Sequence, residues 1–121
     1  MSRDEKLPLL IGALLAALGI LFGAFGAHGL RAVLTPEALG WWQTGVQYQM
    51  WQALGLVAIG AARLPGTRFS VWLLALGTLV FSGSLYVLAL TGMRWLGMVT
   101  PVGGVLMIAG WVCFAIGLAR R

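Results

Sequence analysis

Residues 7–27 read LPLLIGALLAALGILFGAFGA, an uncharged stretch fenced by Arg3-Asp4-Glu5-Lys6 on one side and His28 on the other. A helix needs about 20 apolar residues to cross the hydrocarbon core of a bilayer, and this stretch supplies them. Three more such runs follow. One covers residues 43–62 and stops before Arg63. The next covers 69–93, between Arg68 and Arg94, and the last covers 95–119, ending at Arg120-Arg121. Each is apolar all round, as a helix surrounded by lipid and by other helices must be. The expected fold is therefore all-α: a four-transmembrane-helix antiparallel bundle forming a single membrane domain over residues 1–121.

Composition supports this. Only 9% of the residues are charged while 60% are hydrophobic, against roughly one-quarter charged in an average soluble domain. So few charges do not cover a globular surface against water. The net charge of +5 does not point to nucleic acid. The basic residues sit in the gaps between apolar runs and form no stripe with interleaved aromatics. Cys113 is the one cysteine and lies inside an apolar run, so an intrachain disulfide is excluded and a small buried hydrophobe is expected.

The connections set the topology. Leu64-Pro65-Gly66-Thr67 is a turn signal between runs two and three, and Thr91-Gly92-Met93-Arg94 joins runs three and four. Short links force antiparallel neighbours. The first link is longer, about His28 to Trp42. Thr35-Pro36-Glu37-Ala38 reads as a helix N-cap followed by proline at the first position. With Trp41-Trp42 behind it, a short interfacial helix is expected there, ahead of the second span. A secretory signal peptide is the competing reading of the first run, with Ala24-Phe25-Gly26 as a weak cleavage pattern. The run is long and glycine-rich for that role, so it is read as a retained helix. Four spans put Arg3, Lys6, Arg63, Arg68, Arg120 and Arg121 on one side and only Arg31 and Arg94 on the other. Under the positive-inside rule both ends belong in the cytoplasm.

Polar and small residues concentrate in the half of the bundle away from the termini. His28 lies near the end of run one. Gln43, Thr44, Gln47, Tyr48, Gln49 and Gln52 lie in run two, Ser82, Ser84 and Tyr86 in run three, and Thr100 in run four. Polar groups facing lipid go unsatisfied at a cost of a few kcal/mol, so they are expected to face one another. Gln47, Tyr48 and Gln52 are taken as one broad helix face, with Ser82, Ser84 and Tyr86 as partners. On this reading Gln47→Ala or Tyr86→Phe lowers stability. Pro101 is expected to free a carbonyl within the fourth helix. Gly83, Gly103 and Gly104 are read as sites of close helix approach, as are two series of small residues four apart, Gly12/Ala16 and Gly19/Gly23/Ala27, with Gly26 beside them. His28 is read as a C-terminal cap.

No nucleophile–base pair, phosphate loop or metal ligand set is legible, so no cofactor and no catalysis are expected. No carboxylate lies inside a span, which weighs against ion-coupled transport. An oligomeric transporter or channel stays as the alternative to a non-enzymatic protein that meets lipid, a second copy or another membrane protein.

Five segments, in order, carry a resemblance: Gly23–Leu30 (GAFGAHGL), Trp42–Gln49 (WQTGVQYQ), Phe81–Tyr86 (FSGSLY), Thr100–Gly104 (TPVGG) and Ala109–Trp111 (AGW). Together they are similar to the bacterial membrane family called domain of unknown function 423, related to the eukaryotic transmembrane protein 256. The resemblance implies a small multi-pass membrane protein without an established activity. It also implies a histidine in the second helix where this chain has Gln52, a departure that favours a structural role over acid–base chemistry.

Overall fold

The computed structural model describes residues 1–121 and is helical throughout, with no strand. Its elements are α1 (Arg3–His28), α2 (Pro36–Ala62), α3 (Arg68–Thr91), a 3₁₀ segment (Arg94–Met98) and α4 (Thr100–Ala119). Arg3–His28, Arg68–Thr91 and Arg94–Ala119 are long and apolar enough to cross a membrane by length and composition. The 27-residue α2 has the length, but its glutamines make it less apolar.

Local chemistry sets the ends. The Ser2 hydroxyl accepts from the Glu5 amide, and the Thr35 hydroxyl accepts from the Ala38 amide with Pro36 opening the helix. Each satisfies one of the amides a helix start leaves free. Gly92, at φ 71°, ends α3 in the left-handed conformation that glycine adopts without strain.

Two expectations are corrected here. No separate interfacial helix precedes α2, because Thr35 caps α2 itself and the helix runs unbroken from Pro36. The fourth helix starts at Thr100, not at Trp95. Pro101 therefore sits in its first turn, where the missing N–H would be unpaired anyway, and it frees no interior carbonyl.

The helices form a row rather than a closed bundle. α2 packs along α1, α3 packs along α2, and α4 packs along α3. α1 and α3 barely touch, and the backbones of α1 and α4 do not approach. Within their most apolar windows, 50% of α3 is buried but only 22% of α1 and 17% of the last helix. The outer faces of the two end helices are therefore apolar and uncovered by the rest of the chain.

The seam between α1 and α2 follows a heptad. On α1 the inward positions are Pro8, Gly12, Leu15, Gly19, Phe22 and Gly26; opposite them on α2 stand Trp42, Val46, Gln49, Ala53, Val57 and Gly60. Steps of three and four residues are those of left-handed helix pairs. A Cβ on Gly12 would lie 2.7 Å from the Ala53 carbonyl oxygen, and one on Gly26 would lie 2.6 Å from the Trp42 ring. The expected four-residue series is thus replaced by Gly12, Gly19 and Gly26, seven apart. Gly23 sits at the rim, where a Cβ would make only ordinary contact with Val46.

Gly83 is not a packing position either: a Cβ there meets nothing within 4 Å. Gly83→Ala is expected to leave stability unchanged or raise it by up to about 1 kcal/mol through helix propensity. Gly12→Leu is expected to drive α1 from α2. Detergent-solubilised protein unfolded with increasing SDS and followed by tryptophan fluorescence measures both, and a destabilised Gly83→Ala would contradict this assignment.

Candidate functional site

The polar side chains within the helix row form three links rather than one pool. The first joins α1, α2 and α3 through Gln49, which is 3% exposed. Its Nε2 donates to the Leu15 carbonyl at 2.8 Å, and its Oε1 accepts from the Tyr86 hydroxyl at 2.6 Å. Nearby, Trp42 Nε1 donates to the Phe22 carbonyl at 2.8 Å, and Ser82 Oγ donates to the Gly45 carbonyl at 2.6 Å. Phe22, Trp42 and Tyr86 close over this link, with ring centroids 4.6–5.8 Å apart.

The second link joins α3 to α4. Ser84 Oγ and Thr100 Oγ1 lie 2.6 Å apart, while Ser84 also reaches the Phe81 carbonyl and Thr100 the Leu96 carbonyl. The third joins α2 to α4: Trp111 Nε1 donates to Gln52 Oε1 at 2.8 Å. No buried side-chain nitrogen or oxygen lacks a hydrogen-bond partner.

The expected site residues are thereby sorted. Gln52, Ser82, Ser84, Tyr86 and Thr100 all join links between helices. Gln47 does not: it is exposed on the outer face of α2. Five residues along a helix turn the chain by about 500°, so Gln47 and Gln52 point well apart. Tyr48 packs its ring on Trp51 and Phe81, at centroid distances of 5.0 and 4.7 Å. His28 is exposed, and the end of α1 is closed by the Gly29 amide on the Phe25 carbonyl, not by the histidine ring. Among the glycines, Gly103 packs directly on the backbone of α3. Gly104 does not, since a Cβ there would sit 3.8 Å from the Phe81 ring.

Gln49 and Trp42 are the polar centres that the spacing argument passed over. Their signal was the heptad Trp42, Gln49, Leu56, which puts both on the buried face.

Between α1 and α3, beside Gln49, Ser82 and Tyr86, lies a largely apolar crevice of about 220 Å³ that also takes in Leu18, Phe22 and Leu79. The charged groups lie at the ends of the row. Arg63–Glu5 (3.3 Å) and Arg68–Asp4 (3.5 Å) pair at the end holding the N-terminus, where Arg121 also donates to the Pro65 carbonyl. Arg94–Glu37 (2.9 Å) pairs at the opposite end, with Arg94 over the Trp41 ring.

Known proteins agree with this picture of a membrane chain. The family model described as "Protein of unknown function (DUF423)" matches residues 22–104. The UPF0382 membrane protein SH2409 of Staphylococcus haemolyticus is 47% identical, over 92% of this chain and 93% of its own. The UPF0382 membrane protein YwdK of Bacillus subtilis is 42% identical, over 95% and 98%. The UPF0382 inner membrane protein YgdD of Escherichia coli K12 is 41% identical, over 96% and 92%. No solved structure matches the chain. With both the family model and near-full-length relatives in agreement, the chain belongs to the DUF423 family of membrane proteins of unknown function.

Proposed function

We propose that this chain is a non-enzymatic, four-span protein of the inner membrane, with both termini in the cytoplasm. On this reading its polar residues hold its helices in register, and it acts through the faces that α1 and α4 turn to lipid or to a partner membrane protein. One observation carries the reading: every buried polar side-chain atom is already paired within the chain. Pairing of this kind serves to fix the helices against one another.

The six basic residues at the end with both termini, against two at the other, support the orientation. α2 spans as the partner of α1 and α3, with Gln49 and Gln52 buried against its neighbours and Gln43 and Gln47 left on its exposed face. The crevice between α1 and α3 is the observation behind the second reading, a small-solute or ion pathway completed by oligomerisation.

Water access separates the two. Ser82→Cys and Ser84→Cys, on a Cys113→Ala background in intact cells, are expected to stay unlabelled by a membrane-impermeant thiol reagent. Arg31→Cys, in the exposed α1–α2 connection, is expected to react. Labelling of either serine position at the Arg31→Cys rate would replace this reading with the transport one.

A further inference from the structure

A second cavity lies outside the polar links, at the end carrying the N-terminus. It has a volume of about 360 Å³ and is framed by the start of α1, the end of α2 and the α2–α3 turn. Its floor is apolar, with Pro8, Ile59 and Val71. Its rim is charged, with Asp4, Glu5, Arg63 and Arg68. All three framing segments leave their apolar runs here, so the cavity sits at headgroup depth, with an apolar floor toward the hydrocarbon and a charged mouth toward water.

We propose that this cavity binds the headgroup of a zwitterionic aminophospholipid, of the ethanolamine type. The proposal goes beyond the role of the polar links and does not depend on it. The rim holds two guanidiniums and two carboxylates, matching one phosphate and one ammonium. Guanidinium is the side chain best suited to phosphate, because its planar fork donates two parallel hydrogen bonds. The carboxylates accept from an ammonium that still carries its N–H groups. A choline headgroup offers none, and a glycerol headgroup offers no cation.

The groups are available at low cost. The Arg63–Glu5 and Arg68–Asp4 pairs are 45–68% exposed, and exposed pairs contribute about 0–1 kcal/mol. Exchange of each carboxylate partner for a phosphate oxygen is therefore cheap. Thr67, also on the lining, begins α3 without a side-chain cap. Its hydroxyl makes no hydrogen bond within the chain, unlike those of Ser2 and Thr35, and is free for a ligand.

Native mass spectrometry of the full-length, delipidated protein tests this, with equimolar ethanolamine, glycerol and choline phospholipids in mixed micelles. One ethanolamine lipid is expected to be retained preferentially. Arg63→Gln with Arg68→Gln is expected to reduce that retention about tenfold. Asp4→Asn with Glu5→Gln is expected to abolish the preference for ethanolamine over choline. Arg63→Lys with Arg68→Lys keeps the ion pairs, and so the fold, but loses the fork; it is expected to bind less while unfolding in SDS like the parent. Equal retention of all three lipids, or unchanged retention in the glutamine and lysine variants, would overturn the proposal. Displacement of the lipid by millimolar inorganic phosphate would also overturn it, in favour of a free-anion site.

Discussion

Gly103→Ala is expected to part α3 from α4 and to be among the most damaging single substitutions in the chain. A Cβ at this position would run into the backbone amide of Phe81, with the Phe81 Cα at 2.7 Å and the Gly77 carbonyl oxygen at 2.8 Å. Those atoms belong to a helix backbone and have no rotamer to change. The facing position is equally tight: a Cβ on Gly77 would lie 2.8 Å from the Met107 amide and 2.9 Å from the Gly103 carbonyl oxygen. Inside a bilayer such close approach is a main source of helix affinity, since lipid is as apolar as leucine and burial alone gives no drive. Overpacking costs typically 1–3 kcal/mol, and the rigid contact puts Gly103→Ala at the upper end, about 3 kcal/mol. SDS unfolding followed by tryptophan fluorescence reads this directly, with Gly83→Ala as the control for adding a methyl to α3 where there is room. A Gly103→Ala protein as stable as its parent would mean that the α3–α4 distance is wrong.

The second large effect is expected at Gln49. Gln49→Leu keeps the side chain's bulk and removes both hydrogen bonds, which leaves the Tyr86 hydroxyl without its acceptor inside the helix row. An orphaned buried donor costs about 1–3 kcal/mol, while measured hydrogen bonds between membrane helices run lower, about 0.6–1.7 kcal/mol. A loss of about 2 kcal/mol is expected. Tyr86→Phe leaves Gln49 Oε1 without its donor but keeps the Gln49 bond to the Leu15 carbonyl, and should cost less, about 1 kcal/mol. The double variant should therefore be more stable than the two single losses add up to, by about 0.5 kcal/mol or more. Strict additivity would mean that the two side chains do not meet. Gln47→Ala, on the exposed face of the same helix, should change nothing measurable.

These pairs also mark what was legible in the sequence. The four runs, their short links and the Thr35 cap follow from charge placement and turn chemistry, and a helix covers each run, with α2 beginning earlier, at Pro36, and α4 later, at Thr100. Which glutamine mattered was less legible. With apolar residues on every side of α2, hydropathy does not tell the helix-facing side from the lipid-facing one, and Gln47 and Gln49 look equivalent. The distinction lay in the three–four spacing of Trp42, Gly45, Gln49 and Gln52, a seam written in glycine and glutamine rather than in leucine. Gly12, Gly19 and Gly26 are the same lesson on α1, because the four-residue series drew the eye to Gly23. Gly83 lies between two serines and Gly103 beside Gly104, and only the neighbouring backbone separates the two cases. The open row was not legible at all. Short loops dictate that consecutive helices are neighbours, but nothing local says whether the last returns to the first.

That open row bears on how the protein is made. Nearly every close backbone contact joins a helix to the one synthesised just before it, so no early segment has to wait for a distant partner. The α1–α2 hairpin has its full seam as soon as Ala62 has been added, and α3 and α4 dock in turn on surfaces already in place. Local contacts of this kind favour rapid assembly with little exposure of unpaired groups. The last step is the exception. Trp111 reaches back to Gln52, so in a variant that keeps it as the one tryptophan, that indole's fluorescence reports when the fourth helix has joined the first three.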